Sequence, residues 1–242
     1  MTRHVPAARL RILVAALAVP ALLAACTGGG GALPTIAVQT ADPNVTPAPA
    51  ATHPGPTYPP GCPDAQPEPL GAADVRTVTI TTEKGDIVIE VKGSLSPIAT
   101  GNFVALADCG YYDGVVFHRV VTEPAPFVIQ GGDGQFGRSP DVIPNLVGTG
   151  GPGYTIVDEP VTATYARGTV AMARTAAPDS VGSQFFIVLD DGAREALAAY
   201  NTYQIVGTVT AGMEAVDAIA AAADQEIPTT PIVMSDVSVA TP

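Results

Sequence analysis

The sequence predicts a mainly β protein: a closed eight-stranded antiparallel barrel whose open ends are capped by two α-helices. Three observations lead there. From residue 73 onward, short apolar runs alternate with polar residues and are divided by turn signals, the pattern of half-buried strands. Two helical stretches interrupt these runs. A hydrophobic fraction of 47% in 242 residues is enough for one sizeable core, and eight short strands avoid exposed edges by closing on themselves.

Taken in order, "RTVTITTEKGDIVIEVKG" alternates Val78 and Ile80 with threonines, turns at Lys84-Gly85, and alternates again through Ile87, Ile89 and Val91, which marks a hairpin. Ser96-Pro97 offers an N-cap followed by proline in the first helical position. Ala99, Phe103 and Leu106 then give an apolar face before Gly110 stops the helix. Strands follow at "GVVFHRVV", "FVIQG", "GTVAMA", "SQFFIVL" and "YQIVGTVT"; "MEAVDAIAAAA" is the second helix and "IVMSDVSVA" the last strand.

Two segments precede this domain, which is assigned residues 73–242. Residues 1–26 read as a secretion signal, with basic Arg3, Arg9 and Arg11 ahead of an apolar run too short to span a bilayer. Its end, Leu23-Ala24-Ala25-Cys26, resembles the bacterial lipobox, which implies cleavage and acylation of Cys26. Residues 27–72 hold eleven prolines and almost no periodic apolar pattern. That composition cannot bury a core, so the segment is expected to be a disordered, semi-rigid tether. The expected location is the extracytoplasmic face of the cell membrane, held by lipid.

Removing the leader's three arginines from 11 basic residues leaves eight against 23 acidic ones. Nucleic acid, which needs a basic stripe, is excluded as a partner. Cys62 and Cys109 are the cysteines left over, and two readings stay open: a disulfide stapling tether to domain, or a small packed residue at a helix end.

Several chemistries fail on the residues. "GTGGPG" (148–153) matches a dinucleotide fingerprint but lacks the strand and helix around it, so it reads as a structural loop. Asp158-Glu159 and Asp190-Asp191 read as solvated surface pairs. Beyond the leader the histidines are His53 and His118, too few for a zinc site or a triad, and Ser183 lacks the nucleophile-elbow pattern. No metal or cofactor is expected. In "GVVFHRVVT" (114–122), period two groups Val115, Phe117, Arg119 and Val121 on one strand face and Val116, His118 and Val120 on the other. His118 reads as a packing residue.

"YYDGVVFHRV", "FVIQGGDG", "GTGGPGY" followed by "DE", "GTVAMAR" and "GSQFFIV" stand in an order and spacing that resembles the cyclophilins across residues 73–242. The resemblance implies the barrel with two capping helices and peptidyl-prolyl cis/trans isomerase activity on proline-containing polypeptides. By motif, Arg119 matches the family's catalytic arginine, and Phe127, Val128, Gln130, Gln184 and Phe186 its proline-pocket wall. Ala173 and Arg174 match the segment that holds substrate backbone, and Tyr203 a pocket-edge position. Two features depart from the family. "VVTEPAPFV" inserts about three residues beside the groove, and the rim tryptophan is missing, with Ala198 or Ala199 near its place. A monomer is expected; a proline-peptide binding module or chaperone with little turnover is the competing reading.

Overall fold

A computed structural model describes residues 58–241; the leader with Cys26, and the tether as far as residue 57, lie outside the described residues. Eight strands form one antiparallel sheet: β1 (Val75–Thr82), β2 (Gly85–Lys92), β3 (Phe117–Val121), β4 (Val128–Gly131), β5 (Thr169–Met172), β6 (Phe185–Val188), β7 (Ile205–Ala211) and β8 (Asp236–Ala240). Their order across the sheet is β3-β4-β6-β5-β7-β2-β1-β8. All eight strand segments expected from the alternation are present.

The expected closure is not. No ladder joins the end strands β3 and β8, so the sheet is a curled, open half-barrel. Irregular chain fills that seam: Gly114 N–H donates to the Met234 carbonyl (2.7 Å), Met234 N–H to Val115 (2.8 Å) and Phe117 N–H to Ile232 (2.9 Å). The β8 ladder starts only at Asp236, and the segment just before it covers the edge that β3 would otherwise expose.

Among the described residues three α-helices accompany the sheet rather than two: α1 (Pro97–Asp108), α2 (Arg194–Tyr200) and α3 (Met213–Ala222). α1 packs against β2, β7 and β8, and α3 against β2. The inner face of the sheet and these helices enclose the main core around Phe103, Tyr111, Tyr112, Phe117, Phe185 and Ile187, all fully buried.

Ser96 precedes α1 as expected, yet its side chain makes no capping bond and its hydroxyl is buried without a partner. The cap comes instead from Glu159, whose two carboxylate oxygens accept the Ile98 and Ala99 N–H groups at 3.0 and 2.9 Å. A carboxylate at a helix start satisfies orphan donors and favours the dipole. Its neighbour Asp158 pairs with Arg174 at 2.9 Å. The Asp158-Glu159 pair, read as surface, is thus a structural joint.

The last part of the stretch read as a disordered tether is ordered against the domain. Tyr58 donates its hydroxyl to the Gly151 carbonyl at 2.6 Å and stacks near Tyr111, and Leu70 N–H bonds Pro97. Cys62 and Cys109 form a disulfide across 47 positions, which settles the open choice for these cysteines. A loop of that length removes on the order of 4 kcal/mol of unfolded-chain freedom. That compensates for a segment whose own sequence buries little.

Candidate functional site

The outer face of β3, β4, β6 and β5 carries the candidate residues. Directly opposed residues of antiparallel strands point to the same face. The register pairs Arg119 with Gln130, Gln130 with Phe186, and Phe186 with Ala171. One row across four strands therefore sets the guanidinium, an amide and an aromatic ring side by side. Phe127, Val128, Ala173, Phe186 and Tyr203 belong to a second apolar cluster on this face, with Val121, Ala171, Val188 and Leu197. The Phe186 and Tyr203 rings meet edge to face with centroids 5.4 Å apart.

Strict alternation along β3 does not hold, and the exception aims Arg119. Phe117 opposes Gly131 while Arg119 opposes Gln130, so two steps on β3 match one on β4. His118 is the extra residue of a β-bulge. The bulge leaves Val115, Phe117 and Val120 in the main core and turns Val121 onto the outer cluster. Phe117 and Arg119, grouped together by period two, end on different faces.

His118 is 4% exposed, and neither ring nitrogen makes a hydrogen bond. Gln184 and the Val116 backbone favour the protonated ring, but less than burial disfavours it. Burial pulls the imidazole down to about 4, the Arg119 charge adds to that, and Asp133 opposes it. An unfolded histidine titrates near 6.5. The folded protein thus keeps His118 neutral where the unfolded chain takes up a proton. The stability from this group is full above pH 6.5, falls through the window from 6.5 to 4, and is gone below; the loss is on the order of 3 kcal/mol. Urea midpoints measured from pH 7 to pH 4 should fall more steeply for the native protein than for His118→Gln. Equal slopes would show that the imidazole titrates normally.

Arg119 is held from two sides. Its Nε donates to Glu226 Oε1 at 2.7 Å, and one terminal nitrogen to Gln130 Oε1 at a longer 3.4 Å. The Gln130 amide then donates to Gln184 Oε1 at 3.0 Å, and the Gln184 amide to the Gly148 and Gly150 carbonyls at 2.9 and 2.8 Å. Gln184 is therefore committed to the loop of residues 148–150 rather than pointed outward. Arg174 is committed as well: its guanidinium bonds Asp158 and the carbonyls of Thr175 and Ala177.

That loop is fastened by Asp133, which is fully buried. One carboxylate oxygen accepts Gln135 and Phe136 N–H, both at 3.0 Å, and the other accepts Gly148 and Gly150 N–H at 2.7 and 2.9 Å. A Cβ at Gly150 would lie 2.4 Å from the carboxylate, so only glycine fits there. The reading of 148–153 as a structural loop agrees with this. Ser183 is likewise structural, bonded to Tyr111 and to the Gly132 carbonyl in full burial.

Two cavities of about 520 Å³ flank the row. One is lined by His118, Arg119, Gln130, Pro144, Val147 and Glu226 among others. The second is lined by Gly150, Tyr154, Ala173, Arg174, Thr175 and Gln184 among others. Phe127 and Phe186 line neither; they are buried in the second apolar cluster, Phe127 6% exposed and Phe186 fully covered. Asp133 and Glu226 were missed from sequence. The glycine-rich "QGGDG" hinted at the first, and nothing local signalled the second.

A family model described as cyclophilin type peptidyl-prolyl cis-trans isomerase matches residues 77–239. A probable peptidyl-prolyl cis-trans isomerase of Brucella abortus is 38% identical over 152 residues, covering 62% of this chain and 74% of its own. The isomerase cyp18 of Streptomyces antibioticus is 34% identical over 174 residues, covering 67% of this chain and 98% of its own. A cyclophilin type isomerase of Cryptosporidium parvum, crystallised in the presence of the dipeptide Ala-Pro, superposes with a TM-score of 0.55 at 30% identity, over 69% of this chain and 99% of its own. With the family model spanning most of the folded residues and every strand of the expected order present, the chain belongs to the cyclophilin type peptidyl-prolyl cis-trans isomerases.

Proposed function

We propose that this chain accelerates cis/trans rotation about X-Pro bonds in exported polypeptides, with Arg119 as the catalytic residue. The observation that carries the reading is the row Arg119–Gln130–Phe186 beside the apolar cluster of Phe127, Val128 and Tyr203. Rotation faces a barrier of about 18–20 kcal/mol because amide resonance must be broken. In the twisted state the proline nitrogen turns pyramidal and regains a lone pair. A donor aimed at that nitrogen stabilises the twisted state more than either planar one.

Arg119 supplies such a donor without any proton leaving it. Gln130 is a positioning residue, holding the guanidinium and held in turn by Gln184. Phe127, Val128 and Phe186, 6%, 0% and 0% exposed, form a low-dielectric backing behind the row that leaves the arginine field less screened. The Ala173–Arg174 backbone beside the second cavity and Tyr203 at the edge complete the substrate contacts. Comparing native protein with Arg119→Ala in a proline-isomerisation assay tests the reading. Equal slow rates would leave a proline-peptide binding module.

The same reading places the domain at the outer face of the cell membrane as a monomer, carried by a lipidated Cys26 and a proline-rich spacer. The support is Leu23-Ala24-Ala25-Cys26 after a basic and apolar leader. Mass analysis of the mature N-terminus should find an acylated Cys26 as the first residue. An unmodified chain beginning elsewhere would overturn the anchor.

A further inference from the structure

Glu226 lies between α3 and β8, in a loop braced by its own hydrogen bonds. Its carbonyl accepts the Val120 N–H at 2.7 Å, which fixes the loop to β3 next to Arg119. Asp224 accepts Thr229 N–H at 3.0 Å and the Thr229 hydroxyl at 2.6 Å, and the Gln225 amide bonds Ile227 at 2.8 Å. Pro228 and Pro231 restrict the backbone further. A carboxylate carried on such a loop has a defined place.

That place is the wall of the cavity beside Arg119, where Glu226 is the one carboxylate among the lining residues. Its side chain remains 56% exposed although Oε1 bonds Arg119. Pro144, Val147 and Ile227 give the cavity apolar walls, and Asn145 a neutral amide. A lysine or arginine of a bound polypeptide suits this lining: its stem packs on the apolar walls while its head reaches the carboxylate. The Arg119 guanidinium lines the same cavity, but its side chain is 14% exposed against 56% for Glu226, so the carboxylate is the charge more open to a bound side chain and an acidic one is disfavoured.

Resting on the isomerase reading, we propose that Glu226 is a specificity-determining residue that selects X-Pro bonds flanked by a basic residue, while also positioning Arg119. A single charge pair near solvent corresponds to roughly two- to fivefold in kcat/KM. The test uses the full-length chain with short peptides carrying Lys, Gln or Glu on either side of the proline. Native protein should prefer Lys over Glu by that factor, chiefly through KM, and the preference should shrink at about 1 M salt.

Glu226→Gln should remove the preference and also lower kcat for every peptide, because the charge that aims Arg119 is gone. Glu226→Asp should retain the preference, and Glu226→Lys should invert it. The whole chain is acidic, with 23 carboxylates against 11 basic residues. A preference set by that overall charge would survive Glu226→Gln, and such survival would overturn the proposal. So would equal turnover of Lys and Glu peptides by native protein. No turnover of even the Gln peptides would instead remove the isomerase reading beneath it.

Discussion

Arg119→Ala should lower kcat/KM for X-Pro isomerisation by at least one to two decades while leaving the fold intact. A charge-assisted hydrogen bond is worth about 1.5–3 kcal/mol, and each 1.36 kcal/mol is tenfold in rate. The loss should appear in kcat, since the bond to the proline nitrogen forms only as the amide twists. Folding should survive because the side chain is on the outer face and its partners, Gln130 and Glu226, keep other bonds: Gln130 to Gln184, and Glu226 through its carbonyl to Val120. Arg119→Lys should recover little. An ammonium lacks the planar fork that reaches Glu226 and Gln130 together. A native rate for Arg119→Ala, measured on protein with an unchanged unfolding midpoint, would show that the arginine is not the donor.

Asp133→Ala should be the most damaging single change to stability outside the apolar core, on the order of 3–5 kcal/mol. Four backbone N–H groups converge on this buried carboxylate, from Gln135, Phe136, Gly148 and Gly150. Removing it leaves four part-buried donors without their acceptor at once, the costly direction of the hydrogen-bond asymmetry. Asp133→Asn should cost less, because the amide oxygen still serves one pair of donors; its NH₂ then faces the other pair. Denaturant titrations check this, with an unchanged slope showing that the native state remains compact. Activity should fall with stability in Asp133→Asn. The Gly148 and Gly150 carbonyls hold Gln184, which holds Gln130. Full activity with a loosened loop would separate loop and guanidinium.

The strands were legible because period-two alternation is a local signal, and β1 and β2 carried it most clearly. Helix α2 was not: "REALAAY" is one short segment following Asp190-Asp191, with no side-chain cap at its start. The groove wall was legible only as a set of motifs. Its geometry depends on a bulge at His118, and a rule of strict alternation places Phe117 and Arg119 on the wrong side of each other. Glu226 was illegible for a different reason, since it reaches Arg119 across 107 positions. The α1 cap was misplaced likewise: Ser96 has the right residue type in the right position, but a carboxylate 61 positions from Ile98 takes the task. Open closure of the sheet depends on where the β8 ladder begins, which alternation through "IVMSDVSVA" does not reveal.

The bond between Cys62 and Cys109 also decides how tension enters the domain. Without it, a pull on the chain ahead of Tyr58 would arrive at Val75 and peel β1 from its neighbours one rung at a time. With it, the load crosses through sulfur to the end of α1, and the residues between carry none. The domain is then hauled as a body by the helix rather than unravelled from its first strand.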